Sequence, residues 1–282
     1  MKRTLILSAL VLLTLIVVAC APAPTPAPAA TLLDLKGRAL KVGSDTTYPP
    51  FELVNDKKEV VGFDVEMVNE ICKRVNCKAT FVTADFSTIF TAVASKQYDM
   101  GASGATITDD RKKIITFSDP YIVNTQSVLV RSDESRIKGK DDLANTAYIV
   151  GVQNGTSNEI VARKLVKDEA RQLKLYDTFD LAVAALKNKT VDAVVIDTFA
   201  AFGYMDDPDN KGAFKLAGDQ FSAGEFFGMF FPPDSTDLIN SFNAGLKAMV
   251  KDGTLTKLCE KWWPEPKERP DCTFKGLPQM SQ

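Results

Sequence analysis

Apolar residues along the first third of the chain switch between two spacings. Residues 39–44 form a short apolar run that ends in a turn at 45–50. Residues 60–63 then lead into 64–75, where Val65, Val68, Ile71 and Val75 recur at helical intervals. Residues 79–83 read as strand, 86–95 as a helix with Ile89, Phe90 and Val93 on one face, and 100–103 as strand again. This β-α-β-α order predicts an α/β domain with a largely parallel sheet. A second series follows: strands at 127–130 and 147–152, a helix at 157–165, a strand at 173–176, a helix at 179–187 and a strand at 193–196. Residues 226–231 read as a strand able to return to the first series. Residues 238–252 read as an amphipathic helix stopped by Gly253, and 255–262 as a last helix ended by Pro264 and Pro266. Two similar lobes leave a cleft between them, and α/β proteins bind ligands in such clefts and beyond the carboxyl ends of strands. Asp45, Ser103 and Asp197 all fall just past predicted strand ends.

The N-terminus follows a different pattern. Lys2 and Arg3 precede an apolar stretch from Leu5 to Val18, and Ala19 stands before Cys20. A charged start, an apolar middle and a small residue at the end match a secretory signal, too short for a membrane span of ~20 residues. Residues 21–30, APAPTPAPAA, form a Pro/Ala tether that cannot build a core. The formal net charge is −2, with basic and acidic residues mixed, so the chain shows no nucleic-acid footprint. It contains no histidine. Ser-His-Asp and Cys-His catalysis and His-ligated zinc are therefore excluded. Cys72 and Cys77 are near neighbours, as are Cys259 and Cys272. Export to an oxidising compartment favours two local disulfides, although the sequence also permits other pairings. Neither spacing is a C-x-x-C, so no metal site is expected.

The run SGATITDDRKK, residues 103–113, carries the most chemistry. It reads as a strand end followed by a helix start, with Thr108 as N-cap, Asp109 and Asp110 in the first turn, and Arg111 next. Ser103, Gly104 and Ala105 leave backbone groups open to a ligand, and Thr106 adds a hydroxyl. Backbone donors beside a planar, permanently charged guanidinium suit a carboxylate held by two parallel hydrogen bonds.

Seven segments in order resemble one family: VGSDTTYPPFE (42–52), VGFDVEMVNEI (61–71), DFSTIFTAVASKQYD (85–99), ATITDDRKKIITFSDPY (105–121), VGVQNGT (150–156), VDAVVID (191–197) and LKAMVKDGTLTKLCEKWW (246–263). From about residue 35 to 263 the chain resembles the family 3 extracellular solute-binding proteins of amino-acid ABC importers. Its motifs are most similar to those of the glutamine-binding and lysine/arginine/ornithine-binding members. The resemblance implies a two-lobed periplasmic-binding-protein type II fold with a ligand cleft and two hinge crossovers. One lobe would comprise 31–121 and 226–282, the other 127–221, with hinges near 122–126 and 217–226. The tail from 264 reads as a strap pinned by Cys259 and Cys272. The cysteine after Ala19 resembles a lipobox, which implies cleavage before Cys20, lipidation of its thiol, and anchoring on the extracytoplasmic face of a bacterial membrane.

Carried over by position, the resemblance implies that Arg111 pairs with a ligand α-carboxylate, helped by the Thr106 N–H and an N–H near Ser157. Asp197 would take the α-ammonium, with the Gly104 carbonyl and the Thr106 hydroxyl. Ser103 would lie beside them. Tyr48 and Phe86 would wall the side chain, and Asp45 and Gln153 would face its distal group, with Asp64 near it. The expected function is capture of a polar or basic amino acid by cleft closure and delivery to importer membrane subunits. The expected protein is a monomer without cofactor or nucleic-acid partner, touching the membrane through its anchor alone. The same fold also serves a dehydratase of aromatic amino-acid precursors and sensor modules. Arg111 and Asp197 at opposite ends of the cleft favour an α-amino acid over a precursor lacking the amine.

Overall fold

The computed structural model describes residues 34–265, 270–274 and 277–278. The signal segment, Cys20 and the tether lie outside the described residues. The first elements are β1 (Arg38–Ser44), β2 (Thr47–Tyr48), β3 (Glu52–Val54), β4 (Val60–Val61), α1 (Phe63–Val75), β5 (Cys77–Thr83), α2 (Phe86–Ala94), β6 (Met100–Gly101) and β7 (Thr116–Phe117). The middle of the chain forms β8 (Ile122–Arg131), β9 (Val150–Gln153), α3 (Ser157–Leu165), α4 (Glu169–Gln172), β10 (Leu173–Tyr176), α5 (Phe179–Lys187), β11 (Ala193–Asp197) and α6 (Thr198–Asp206). β12 (Phe214–Phe227), β13 (Phe230–Phe231), α7 (Thr236–Lys251) and α8 (Thr254–Trp262) complete it.

Two five-stranded sheets result, in the orders β5-β1-β6-β13-β7 and β10-β9-β11-β8-β12, beside a small sheet β2-β3-β4. In each large sheet four strands run one way and one runs against them, so the expected largely parallel sheet holds with a single reversed strand. β1, β5 and β6 are parallel, while β13 runs against β6 and β7. In the second sheet β9, β10 and β11 are parallel, but β8 opposes both β11 and β12. β11, AVVID, is buried at every position, as a central strand covered on both faces requires.

The largest departure from the sequence reading is the β8–β12 ribbon. β8 is ten residues long rather than four, and β12 runs from Phe214 to Phe227 where only residues 226–231 were expected. The two strands pair from Phe214↔Arg131 to Phe227↔Ile122, with register shifts between Ala217 and Phe221 and between Phe221 and Glu225. Lys215, Asp219, Gln220, Ser222 and Glu225 interrupt the apolar alternation of β12, so periodicity alone could not find it. The chain passes from the first sheet to the second along β8 and returns along β12. Both crossings lie side by side.

Helix ends follow local chemistry. Asp85, Thr156 and Thr178 cap α2, α3 and α5 by accepting from Ser87, Glu159 and Leu181 N–H groups. α1 ends at Asn76 in the left-handed conformation, and the Cys72–Cys77 disulfide joins its last turn to β5. Cys259 on α8 is bonded to Cys272. The helix expected after Thr108 is instead a single 3-10 turn, Arg111–Lys113. Ile114 and Ile115 N–H groups both close on the Arg111 carbonyl, because the chain must turn at once into β7.

Candidate ligand-binding site

The ends of strands from both sheets converge on one cavity of at most about 270 Å³, a size for a small molecule rather than a peptide. Asp45 follows β1, Ser103 and Gly104 follow β6, Gln153 ends β9 and Asp197 ends β11. Phe86 opens α2 and Ser157 opens α3. These residues, with Tyr48, Thr106 and Arg111, all line the cavity. The structure thus brings the expected site residues, Asp64 excepted, to one cavity.

Arg111 is held at three sides. Its Nη1 donates to the Thr106 carbonyl at 2.7 Å and its Nη2 to the Gly155 carbonyl at 3.1 Å. The guanidinium lies over the Phe90 ring at 4.2 Å and over Phe86 at 5.3 Å. Loss of hydration lowers its pKa to about 10, which leaves it cationic at neutral pH. Among the described residues lining the cavity, Arg111 is the one cation.

Asp197 is its counterpart and is 4% exposed. Its Oδ1 accepts from Asn124 Nδ2 at 2.6 Å and from Asn158 Nδ2 at 3.0 Å, while Oδ2 accepts from the Tyr48 hydroxyl. Burial raises the Asp197 pKa above the ordinary carboxylate range, and these donors oppose the rise. Asn124 and Asn158 were missed from sequence. An asparagine in a strand or in the first turn of a helix carries no periodic or motif signal of its own. Phe179 was missed as a wall, and Phe90 as the ring under Arg111, for a similar reason: their helical spacing fits ordinary core equally well.

At the far end, Asp45 Oδ2 accepts from Gln153 Nε2 at 2.5 Å, and Oδ1 accepts from the Thr47 hydroxyl at 2.8 Å. Burial raises the Asp45 pKa, opposed by the Gln153 and Thr47 donors, with Asp180 adding a smaller like-charge push. The Tyr48 ring stacks between Phe51 and Phe179, at centroid distances of 5.3 and 5.5 Å. Gly104 sits at φ +49°, and a Cβ there would meet the Tyr48 ring at 2.4 Å. Thr106 Oγ1 and Ser157 Oγ are 3.0 Å apart. Asp64 is the exception to the expected set. It does not line the cavity but lies fully buried behind it, accepting from Gly104 N at 2.9 Å and the Tyr121 hydroxyl at 2.7 Å.

Four contacts join residues before β8 to residues after it across the cavity: Tyr48 to Asp197, Gln153 to Asp45, Arg111 to Gly155 and Thr106 to Ser157. The cleft is therefore shut in this structure. A guanidinium and a buried, donor-rich carboxylate facing one small cavity with aromatic walls define a receptor for a small zwitterion of the amino-acid class. A zwitterion removed from water needs a cation for its carboxylate and acceptors for its ammonium, and both are present.

The chain belongs to the bacterial extracellular solute-binding proteins, family 3, whose profile matches residues 40–265. It is 29% identical over 233 residues to the ABC transporter arginine-binding protein 1 of Escherichia coli, covering 80% of this chain and 91% of that protein. It is 31% identical over 229 residues to the lysine/arginine/ornithine-binding periplasmic protein of the same organism, covering 79% and 87%. Among solved structures, an ancestral arginine-binding protein bound to arginine matches with a TM-score of 0.75 at 35% identity, covering 81% of this chain and 99% of that one. An ancestral arginine-binding protein bound to glutamine matches with a TM-score of 0.74, also at 35% identity, covering 80% and 98%.

Proposed function

We propose that this chain is a lipid-anchored extracytoplasmic receptor that captures a basic L-amino acid, arginine first, and hands it to an ABC importer. The observation that carries the reading is the convergence of three groups on one small cavity: Arg111 for an α-carboxylate, Asp197 for an α-ammonium, and Asp45 at the distal end with Asp180 acting on it through space. A distal carboxylate without a second lining cation suits a guanidinium or ammonium side chain and disfavours glutamate or aspartate. Gln153 beside Asp45 leaves glutamine as the second candidate, since an aspartate and an amide together can pair with a side-chain amide. Names of relatives agree with both, through arginine-binding proteins that accept arginine or glutamine.

In this reading the lobes are 31–121 with 226–282, and 127–221, and the β8–β12 ribbon contains the hinges near 122–126 and 217–226. Arg111 and Asp197 come from opposite lobes, so only closure engages both ends of the ligand. The protein acts as a monomer tethered through Cys20 and catalyses no reaction. A dehydratase would need a tuned acid or base aimed at a substrate lacking the amine, and the donor-rich surroundings of Asp197 favour an ammonium instead.

A thermal-shift panel of the purified protein against the twenty amino acids, ornithine and prephenate-like cyclic acids tests this. A ligand at ~100 times its Kd stabilises the folded form by ~2.7 kcal/mol. Shifts with arginine, lysine or ornithine are expected. A shift confined to a cyclic acid without an α-amine overturns the receptor reading in favour of an enzyme.

A further inference from the structure

Behind the cavity lie two carboxylates that do not line it. Glu52, at the start of β3, and Asp64, in the first turn of α1, are both 0% exposed. They are held close through the backbone, with Asp64 N donating to the Phe51 carbonyl at 3.0 Å. Each carboxylate holds one of two consecutive residues of the site. Glu52 Oε1 accepts from Ser103 Oγ at 2.7 Å, and Asp64 Oδ2 accepts from Gly104 N at 2.9 Å and the Tyr121 hydroxyl at 2.7 Å. Each also leaves one buried oxygen, Glu52 Oε2 and Asp64 Oδ1, without a hydrogen-bond partner. The titratable groups facing them are Asp45 past β1, Tyr48 on β2, Tyr121 just before β8 and Tyr204 on α6. None of these is a cation.

Two neighbouring buried carboxylates with no compensating charge cannot both be ionised. Burial raises the Asp64 pKa to about 7, and two donors on one of its oxygens oppose the rise and favour the anion there. Glu52 has one, and Asp64 repels its charge. We infer that Glu52 and Asp64 are positioning residues of the binding site that hold a single proton between them, Glu52 as the neutral acid and Asp64 as the carboxylate, and that this state fixes Ser103 and Gly104 for the ligand. Both residues matter to capture. Ser103 Oγ in turn receives the Asp45 N–H at 2.9 Å, and Gly104 is the left-handed residue beside Tyr48. The inference rests on the cleft being an amino-acid site.

The sign of the pH effect follows from the count of protons. The folded protein keeps a proton that the unfolded chain releases once pH exceeds the ordinary glutamate range. Stability therefore falls as pH rises through that window, by up to about tenfold in the unfolding constant per pH unit. The test is denaturant unfolding of the full chain, as wild type, Glu52→Gln and Asp64→Asn, from about pH 5 to about pH 9, with the arginine Kd measured at each pH. In Glu52→Gln an amide supplies a fixed donor and still accepts from Ser103, so the stability slope should lose about one proton. In Asp64→Asn the anion that orients Gly104 is gone, and arginine should bind about tenfold more weakly at every pH. The infrared band of a protonated carboxyl should be present in the wild type at neutral pH and missing in Glu52→Gln.

A wild-type slope that Glu52→Gln leaves unchanged, or a neutral-pH wild type without the carboxyl band, overturns the shared proton. Wild-type arginine affinity in Asp64→Asn overturns the positioning role. If Glu52→Gln does not fold, the wild-type band still decides the protonation. If arginine binds none of the three proteins, the proposed ligand is wrong while slope and band still report on the pair.

Discussion

Replacing Arg111 separates charge from shape in ligand capture. If Arg111 holds the ligand carboxylate as proposed, Arg111→Ala leaves that carboxylate without its cation in a largely dehydrated cleft, a change worth about 3–5 kcal/mol. That corresponds to a Kd for arginine roughly 150- to 4,000-fold weaker. Arg111→Lys keeps the charge but loses the planar fork and the stacking on Phe90, where the guanidinium lies 4.2 Å from the ring centre. One hydrogen bond and one cation–π contact together are worth about 2 kcal/mol, or roughly 30-fold. Isothermal titration with arginine reads both values. Denaturant unfolding without ligand controls for the bonds Arg111 makes to Thr106 and Gly155, which are part-buried at most and cost about 1 kcal/mol to lose. If Arg111→Ala binds arginine within about threefold of wild type, the carboxylate is not held here and the orientation of the ligand is wrong. If lysine performs as well as arginine at this position, the fork geometry carries nothing.

Other substitutions probe other parts of the site and scaffold. Asp45→Asn should weaken arginine by about tenfold or more while changing glutamine far less, read by competition between the two ligands. Because burial raises the Asp45 pKa, arginine binding should fade on acidification before an ordinary aspartate would titrate, and glutamine binding should persist through the same range. Gly104→Ala forces a Cβ to within 2.4 Å of the Tyr48 ring in a left-handed conformation. The backbone term alone costs about 1–2 kcal/mol, visible as a lower melting temperature and weaker binding together. Cys259→Ser with Cys272→Ser opens a crosslink of sequence separation 13, which should lower unfolding free energy by about 3 kcal/mol and leave arginine affinity in place.

Legibility in the sequence divided along physical lines. α3 and α5 begin and end where the sequence reading placed them, because a helix signals its face every turn, and the structure adds Thr156 and Thr178 as their caps. The cavity-lining residues were legible through motif order, and Asp45, Ser103 and Asp197 also through strand ends whose apolar cores announce themselves. β12 was not, because its polar residues serve a twisted two-strand crossing rather than a buried face. Asn124 and Asn158 were invisible for another reason: an amide that donates to a carboxylate 73 or 39 residues away leaves no local trace. Asp64 was legible as important but not as what it does. A first-turn aspartate suggests a helix cap or a ligand contact, and only the fold shows it turned towards Gly104.

The contacts that shut the cleft bear directly on affinity. Tyr48 donates to the Asp197 oxygen that an ammonium would approach, Gln153 donates to Asp45, and the Arg111 Nη2 faces the Gly155 carbonyl. A ligand does not add bonds to idle groups here; it exchanges with bonds the protein makes to itself. Net gain is therefore small for each polar contact, of the order of 1 kcal/mol, and greatest where the ligand brings a full charge to a carboxylate. In the proposed reading selectivity resides at Asp45, where a guanidinium would replace a neutral amide donor and a side-chain amide would merely match one. Gln153→Ala sharpens the point. Removing the competing donor should raise arginine affinity and lower that of glutamine, which loses a partner for its own amide. Equal effects on the two ligands in a titration series would show that Gln153 acts on closure alone and that discrimination lies elsewhere in the cleft.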